Sequence, residues 1–282
     1  MAGKGSAPPA TLGEVRERAA GVGPIVLAVV GSDGGSAVEA ARRAAASGLV
    51  EPVFLRDPDE AAGRAGAGEI DVLLKGTVRS DQLLRAVLDR AHSLRTDRLL
   101  SDVLLYEDTL SGRRRLVGVT DGGVTVAPDG DQLRQIVLNA VGVFHALGFA
   151  EPRVALLSAT EAVSESVPST VRARALADEA IGGGLGRCHV QGPLALDNAL
   201  LPSAAEAKGI VGPVAGRADV LVTSGIEAGN ILGKSVKYFA GSVTGHVVVG
   251  ARVPVLIPSR VESVEDKLAS IALGALAARG MR

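Results

Sequence analysis

Aromatic residues make up only 2% of this 282-residue chain, and tryptophan is absent. Its core must therefore be built from Val, Leu, Ile and Ala. So few rings also argue against a surface that stacks the bases of single-stranded nucleic acid. There is one cysteine, Cys188. That excludes an intrachain disulfide framework and a multi-cysteine zinc site, and it fits a reducing compartment. An excess of one charge is missing too. The formal net charge is −1, so no global basic field draws in DNA. A phosphate-bearing ligand needs basic residues gathered locally. No apolar run approaches the roughly 20 residues of a membrane-spanning helix. The leading segment is rich in Gly, Ala and charge, with no apolar stretch of the signal-peptide kind. The expected location is the cytoplasm.

Hydrophobic residues reach 47%, enough for a large core in one or two domains. Val-rich runs alternate with Ala-rich helical patterns, which points to α/β architecture. Ile25–Val30, Val53–Leu55 and Asp71–Leu74 read as strands, separated by helices over 37–46 and, after the third, 81–92. Such a βαβαβα series makes a parallel sheet. Strands are expected at 101–106 and 116–119 with a turn at Ser111-Gly112, then a helix over 131–147. A second βα series follows: strands at 154–157, 189–191, 220–223 and 243–249, helices over 170–180 and 228–239. A strand at Val255 and a last helix close the chain.

Several places carry polar groups at strand ends, where α/β proteins bind ligands. Gly31-Ser32-Asp33-Gly34-Gly35 follows the first strand. It lacks Gly-x-Gly-x-x-Gly and a following Gly-Lys-Ser/Thr, so it reads as a tight turn and implies neither NAD nor ATP. Lys75 follows the third strand and Arg85 sits on the next helix; a guanidinium fork matches phosphate. Thr120-Asp121 ends another strand. Glu227 and Asn230 lie at the start of the helix after 220–223, as helix entry or pocket wall. Cys188 and His189 are strand neighbours on opposite faces and cannot form a dyad. The four histidines show no metal-ligand spacing. Near the C-terminus, Ser259, Arg260 and Asp266 put a hydroxyl, a guanidinium and a carboxylate within eight residues at a strand-to-helix junction. There the N–H groups of a helix start favour anions. Ser263 and Asp266 also satisfy a capping box, which alone accounts for Asp266 but not for Ser259-Arg260.

Taken together the chain resembles the phosphate acetyl/butyryltransferase family, most closely its butyryl branch. The resemblance rests on Leu74-Lys75-Gly76, Leu84-Arg85-Ala86-Val87-Leu88, Val119-Thr120-Asp121, Ala127-Pro128-Asp129 and His145-Ala146-Leu147-Gly148. It continues through Gly192-Pro193-Leu194-Ala195-Leu196-Asp197-Asn198-Ala199, Lys208-Gly209-Ile210-Val211, Ile226-Glu227-Ala228-Gly229-Asn230-Ile231 and Ser259-Arg260. It implies two α/β/α domains with mainly parallel sheets and an interdomain cleft, like those of isocitrate and isopropylmalate dehydrogenases. The expected division is 1–130 plus 251–282 for the first domain and 131–250 for the second.

The implied reaction is acyl-CoA plus phosphate giving acyl phosphate plus CoA, with short or branched acyl groups favoured over acetyl. The CoA thioester is a substrate; no metal and no tightly bound cofactor are implied. A homodimer or larger assembly and a functional link to an acyl-phosphate-using kinase go with the family. By the same resemblance Ser259, Arg260 and Asp266 are catalytic, with Asp266 as general base. Lys75, Arg85, Thr120, Asp121, Glu227 and Asn230 are expected to bind phosphate or CoA. The chain departs from the family pattern at Asp102, Gln191 and Gly233. A small Gly233 widens an acyl or CoA pocket or marks a lost function. The alternative reading is a catalytically silent member that binds a ligand or regulates. A decarboxylating dehydrogenase of related fold would need a cluster of metal-binding aspartates that the sequence lacks.

Overall fold

The computed structural model describes residues 7–110 and 112–281; Ser111 of the expected turn lies outside them. In chain order the elements are α1 (Leu12–Gly21), β1 (Ile25–Val30), α2 (Ser36–Ala46), β2 (Val50–Leu55), α3 (Pro58–Gly66), β3 (Val72–Lys75) and α4 (Ser80–Leu88). A 3₁₀ turn over Arg90–His92 follows, then β4 (Ser101–Asp108), β5 (Arg115–Thr120), α5 (Gly130–Ala146), β6 (Arg153–Leu157), α6 (Pro168–Ile181) and β7 (His189–Leu194). The chain continues with α7 (Leu196–Leu200), α8 (Pro202–Ala207), β8 (Val220–Val222), α9 (Ile226–Tyr238), β9 (Thr244–Val249), β10 (Val255–Leu256) and α10 (Val264–Gly280). No described helix is long and apolar enough to cross a membrane.

The chain forms two compact units, one of residues 12–100 with 243–282, the other centred on 101–242. The division thus falls near 100 and 242, where 130 and 250 were expected. The β4–β5 hairpin goes with the middle unit because β5 pairs with β8, Gly118 opposite Val220 and Thr120 opposite Val222.

In the first unit the strand order is β2-β1-β3-β10-β9. The first four run parallel and β9 is antiparallel to β10. β1 is a continuous apolar run, IVLAVV, as a strand covered on both faces requires. α10 is buried from Asp266 to Ala278, so it is a core helix rather than an amphipathic one. It packs against α1, α2 and β9. α3 was not expected from the sequence. Its start is marked all the same: Asp57 accepts from the Asp59 N–H at 3.0 Å and Pro58 takes the first helical position, a favoured arrangement.

In the second unit the order is β4-β5-β8-β6-β7. β4 and β5 form an antiparallel hairpin and the remaining pairings are parallel. α5 starts on an Asp129–Gln132 capping box and carries Phe144, whose ring meets Phe149 edge-on at 5.0 Å. Gly118 of β5 leaves room for that ring.

Candidate active site

β1, β3 and β10 lie side by side and parallel, with Val30 opposite Lys75 and Leu74 opposite Leu256. From β1 the chain moves outward to β2; β3 then adds on the other side of β1. The strand order therefore reverses between β1 and β3, and such a switch point opens a crevice beyond the carboxyl ends of the strands. Two turns close on each other there. Gly76 N–H donates to the Val30 carbonyl at 2.7 Å, and Thr77 donates through N–H and Oγ1 to the Gly31 carbonyl at 2.9 and 3.1 Å. A side chain on Gly76 would run into the Gly31 carbonyl, and Gly31 itself holds φ +78. Both positions need glycine.

The crevice is lined by residues 34–37, 75–77 and 258–260 together with Lys267, and encloses about 280 Å³. That is far more than one water needs. Lys75 is only 6% exposed. It makes no hydrogen bond or ion pair among the described residues. Its pKa is lowered, first by burial and then by Arg260 and Lys267, against the opposing pull of Glu262. Ser259 and Arg260 sit on a turn closed by the Glu262 N–H donating to the Ser259 carbonyl at 3.2 Å. The buried Lys267 ammonium ties both ends of that turn, donating to the carbonyls of Ser259 at 3.2 Å and Glu262 at 2.6 Å. Lys75, Arg260 and Lys267 thus line one pocket, and Glu262 is the carboxylate whose charge acts on Lys75. Glu262 Oε1 lies 3.7 Å from His246 Nε2. Lys267 was missed in the sequence. A cation in the first turn of a helix opposes the macrodipole, and that mismatch was the available signal.

Asp266 is 0% exposed and does not line the crevice. Its Oδ2 accepts from Ser263 N–H at 2.9 Å and Ser263 Oγ at 2.6 Å, and its Oδ1 accepts from Thr244 N–H at 2.9 Å. The structure places it in the α10 capping box. Arg85 is also apart from the crevice: its side chain is 79% exposed on α4 and faces Asp81 at 3.3 Å.

The other predicted residues gather in the second unit. Thr120 Oγ1 donates to the Asp102 carbonyl at 2.7 Å. Asp121 is buried and accepts from the N–H groups of Gly123, Val124 and Thr125 at 2.9, 3.0 and 2.8 Å. Burial raises its pKa, and those N–H groups pull the other way. Gly229 lets α9 close on this turn, since a side chain there would strike the Asp121 carbonyl. Asn230 Nδ2 donates to the Gly122 carbonyl at 3.0 Å, and Glu227 is exposed. Thr120, Asp121 and Asn230 therefore build one turn against one helix.

The family model described as phosphate acetyl/butaryl transferase matches residues 59–275. The chain belongs to that family. It is an acyltransferase. It is 45% identical over 228 residues to a probable phosphate butyryltransferase of Bacillus subtilis strain 168, covering 79% of this chain and 76% of that one. It is 41% identical over 219 residues to a phosphate acetyltransferase of Rhizobium meliloti, covering 78% and 68%. Among solved structures, a branched-chain phosphotransacylase from Enterococcus faecalis V583 matches with TM-score 0.80 and 29% identity, over 90% of this chain and 99% of the other.

Gln191, Asp102 and Gly233, expected as departures from the family pattern, have local structural roles. Gln191 ties the 211–215 loop: Oε1 accepts from Val214 and Ala215 N–H at 3.1 Å each, and Nε2 donates to the Val211 carbonyl at 3.1 Å. Asp102 is buried at the start of β4 and donates its N–H to Asp121 Oδ1 at 3.3 Å. Gly233 is buried on α9, where an added Cβ would sit 2.9 Å from Leu104 Cδ1 of β4. The glycine permits close helix-to-sheet packing. Cys188 is half-buried, its thiol donating to the Leu185 carbonyl at 3.4 Å and its pKa raised by burial. His189 faces Glu151 instead.

Proposed function

We propose that this protein reversibly transfers a short acyl group, butyryl or branched in preference to acetyl, between coenzyme A and inorganic phosphate. The observation that carries the reading is Lys75, a residue only 6% exposed that has no hydrogen-bond or ion-pair partner among the described residues and lines one crevice with Ser259 and Arg260. Such a group is costly unless an anion completes it. Relatives named for butyryl and branched-chain substrates support the acyl preference.

In the proposed reaction Lys75 and Arg260 hold the phosphate and offset its charge. A phosphate oxygen attacks the thioester carbonyl carbon and the carbon–sulfur bond breaks. The proton of HPO₄²⁻ ends on the CoA sulfur, so acyl phosphate and free thiol form without a covalent enzyme intermediate. Ser259 donates a hydrogen bond to the carbonyl oxygen as charge builds on it, an effect of order 10²–10³ in rate. Lys267 keeps the Ser259–Arg260 turn in place, and Asp266 acts through the capping box rather than as a base. The exposed Arg85 is assigned to the anionic part of CoA. Glu227 and Asn230 are assigned to the CoA side of the reaction, on a turn fixed by Thr120 and Asp121. A homodimer or larger assembly and a kinase that consumes the acyl phosphate complete the reading. The test is thiol release from acetyl-, propionyl-, butyryl- and isobutyryl-CoA with phosphate present. Butyryl- and isobutyryl-CoA should give the highest kcat/KM; a higher value for acetyl-CoA sinks the preference.

A further inference from the structure

We infer that the glycine turn after β1, which the sequence presents as a mere turn, is the phosphate cradle of this enzyme. Backbone N–H groups at the start of α2 would grip the oxyanion that Lys75 neutralises. The inference rests on the phosphate reading above and adds the element that holds the anion.

α2 spans 11 residues from Ser36, and its N-cap, Gly35, provides no side-chain cap. No acceptor is recorded for the N–H groups of Gly35, Ser36 or Ala37 among the described residues. Helix starts leave such donors open, and they attract anions through those donors and the helix dipole. Here residues 34–37 line the same crevice as Lys75. The second observation is that lysine: 6% exposed, without a hydrogen bond or ion pair among the described residues, and lining the same space. A helix start without a side-chain cap and a largely buried lysine without a hydrogen-bond partner among the described residues thus share one cavity, and one anion would serve both. The backbone of the turn fits this use. Gly34 has φ +109 and Gly35 φ +85, with nothing within 4 Å of an added Cβ at either. Steric crowding therefore does not demand glycine there; the backbone conformation that carries the chain into the helix does.

Ser36 is the first helical residue, which gives a clean test. Ser36→Pro deletes one N–H at the position where proline is best tolerated in a helix. Ser36→Glu puts a carboxylate where the helix dipole favours it but a bound phosphate does not. Steady-state kinetics would vary phosphate and butyryl-CoA separately, with thermal melts of each variant. In Ser36→Pro and Ser36→Glu the KM for phosphate should rise about tenfold, the scale of one lost hydrogen bond to a charged group. The KM for butyryl-CoA should stay within about twofold. Ser36→Glu should melt no lower than the parent, so it carries the test if Ser36→Pro fails to fold. A phosphate KM raised less than about threefold in folded Ser36→Glu overturns the inference. So does a rise in the butyryl-CoA KM as large as that for phosphate, which would assign these amides to the diphosphate of CoA. If the parent releases no thiol with phosphate, the reaction itself has been misread; if the parent is active and the variants are unchanged, only the cradle has.

Discussion

Lys75→Met separates the two things Lys75 does. Methionine keeps the length and the apolar stem and removes the ammonium. With phosphate bound, that ammonium makes a charge-assisted hydrogen bond in a mostly buried site, worth about 1.5–3 kcal/mol. Its loss should lower kcat/KM for phosphate by about 10- to 150-fold. Without phosphate the same ammonium is a burden, disfavoured by burial and by Arg260 and Lys267. The free variant should therefore melt no lower than the parent and, for a gain of about 1 kcal/mol, about 2 °C higher. Phosphate should raise the melting temperature of the parent and leave the variant nearly unmoved. The pH dependence follows from the lowered pKa. The unfolded chain holds the Lys75 proton more tightly, so in the free protein stability rises as pH climbs from the folded pKa toward the ordinary value of 10.5. The advantage of Lys75→Met is thus full at neutral pH and shrinks over that alkaline window. Differential scanning fluorimetry with and without phosphate, at several pH values, reads all of this. A variant that melts lower than the parent yet keeps its phosphate kinetics would refute the reasoning.

Two further substitutions probe the scaffold around the pocket. Lys267→Met removes the ammonium from two carbonyls: that of Ser259 keeps the Glu262 N–H, and that of Glu262 loses its donor, at about 1–3 kcal/mol. Its melting temperature and its kcat should both fall, and a melt unchanged from the parent would show that the turn does not depend on the clamp. Asp266→Asn weakens the α10 cap by about 1 kcal/mol and should lower the melting temperature while leaving the acid limb of the kcat profile in place. A folded, equally stable variant slowed about 10³-fold or more would return Asp266 to the role of general base.

Much of the architecture was legible because buried parallel strands are continuous apolar runs, as at 25–30 and 220–222, and each is punctuated by glycine. Lys75, at the end of β3, and Ser259-Arg260, shortly after β10, were singled out for the same reason, and the structure brings them to one crevice. The strand-end rule says nothing of helical phase, so the sequence did not show that Arg85 lies apart from the crevice. Leu83, Ala86 and Val87 are the buried positions of α4, which leaves Arg85 outward. The short α7 and α8 carry too few turns for periodicity to register. The 31–35 turn was judged by nucleotide motifs it does not match. What matters there is the reversal of strand order beside β1, which only the assembled sheet reveals. For Asp266 the sequence offered both capping and catalysis, and its hydrogen bonds to Ser263 and Thr244 show the capping part.

The most direct measurement is the rate of thiol release from butyryl-CoA, with and without phosphate, by the parent enzyme and by Arg260→Ala. The parent should release thiol only with phosphate and form one acyl phosphate per thiol. Arg260→Ala should need about 100-fold more phosphate for half-maximal rate, at the scale of a lost charge-assisted contact. Thiol release that ignores phosphate, or an Arg260→Ala enzyme with the parent's phosphate dependence, would contradict a phosphate site in the β1–β3–β10 crevice.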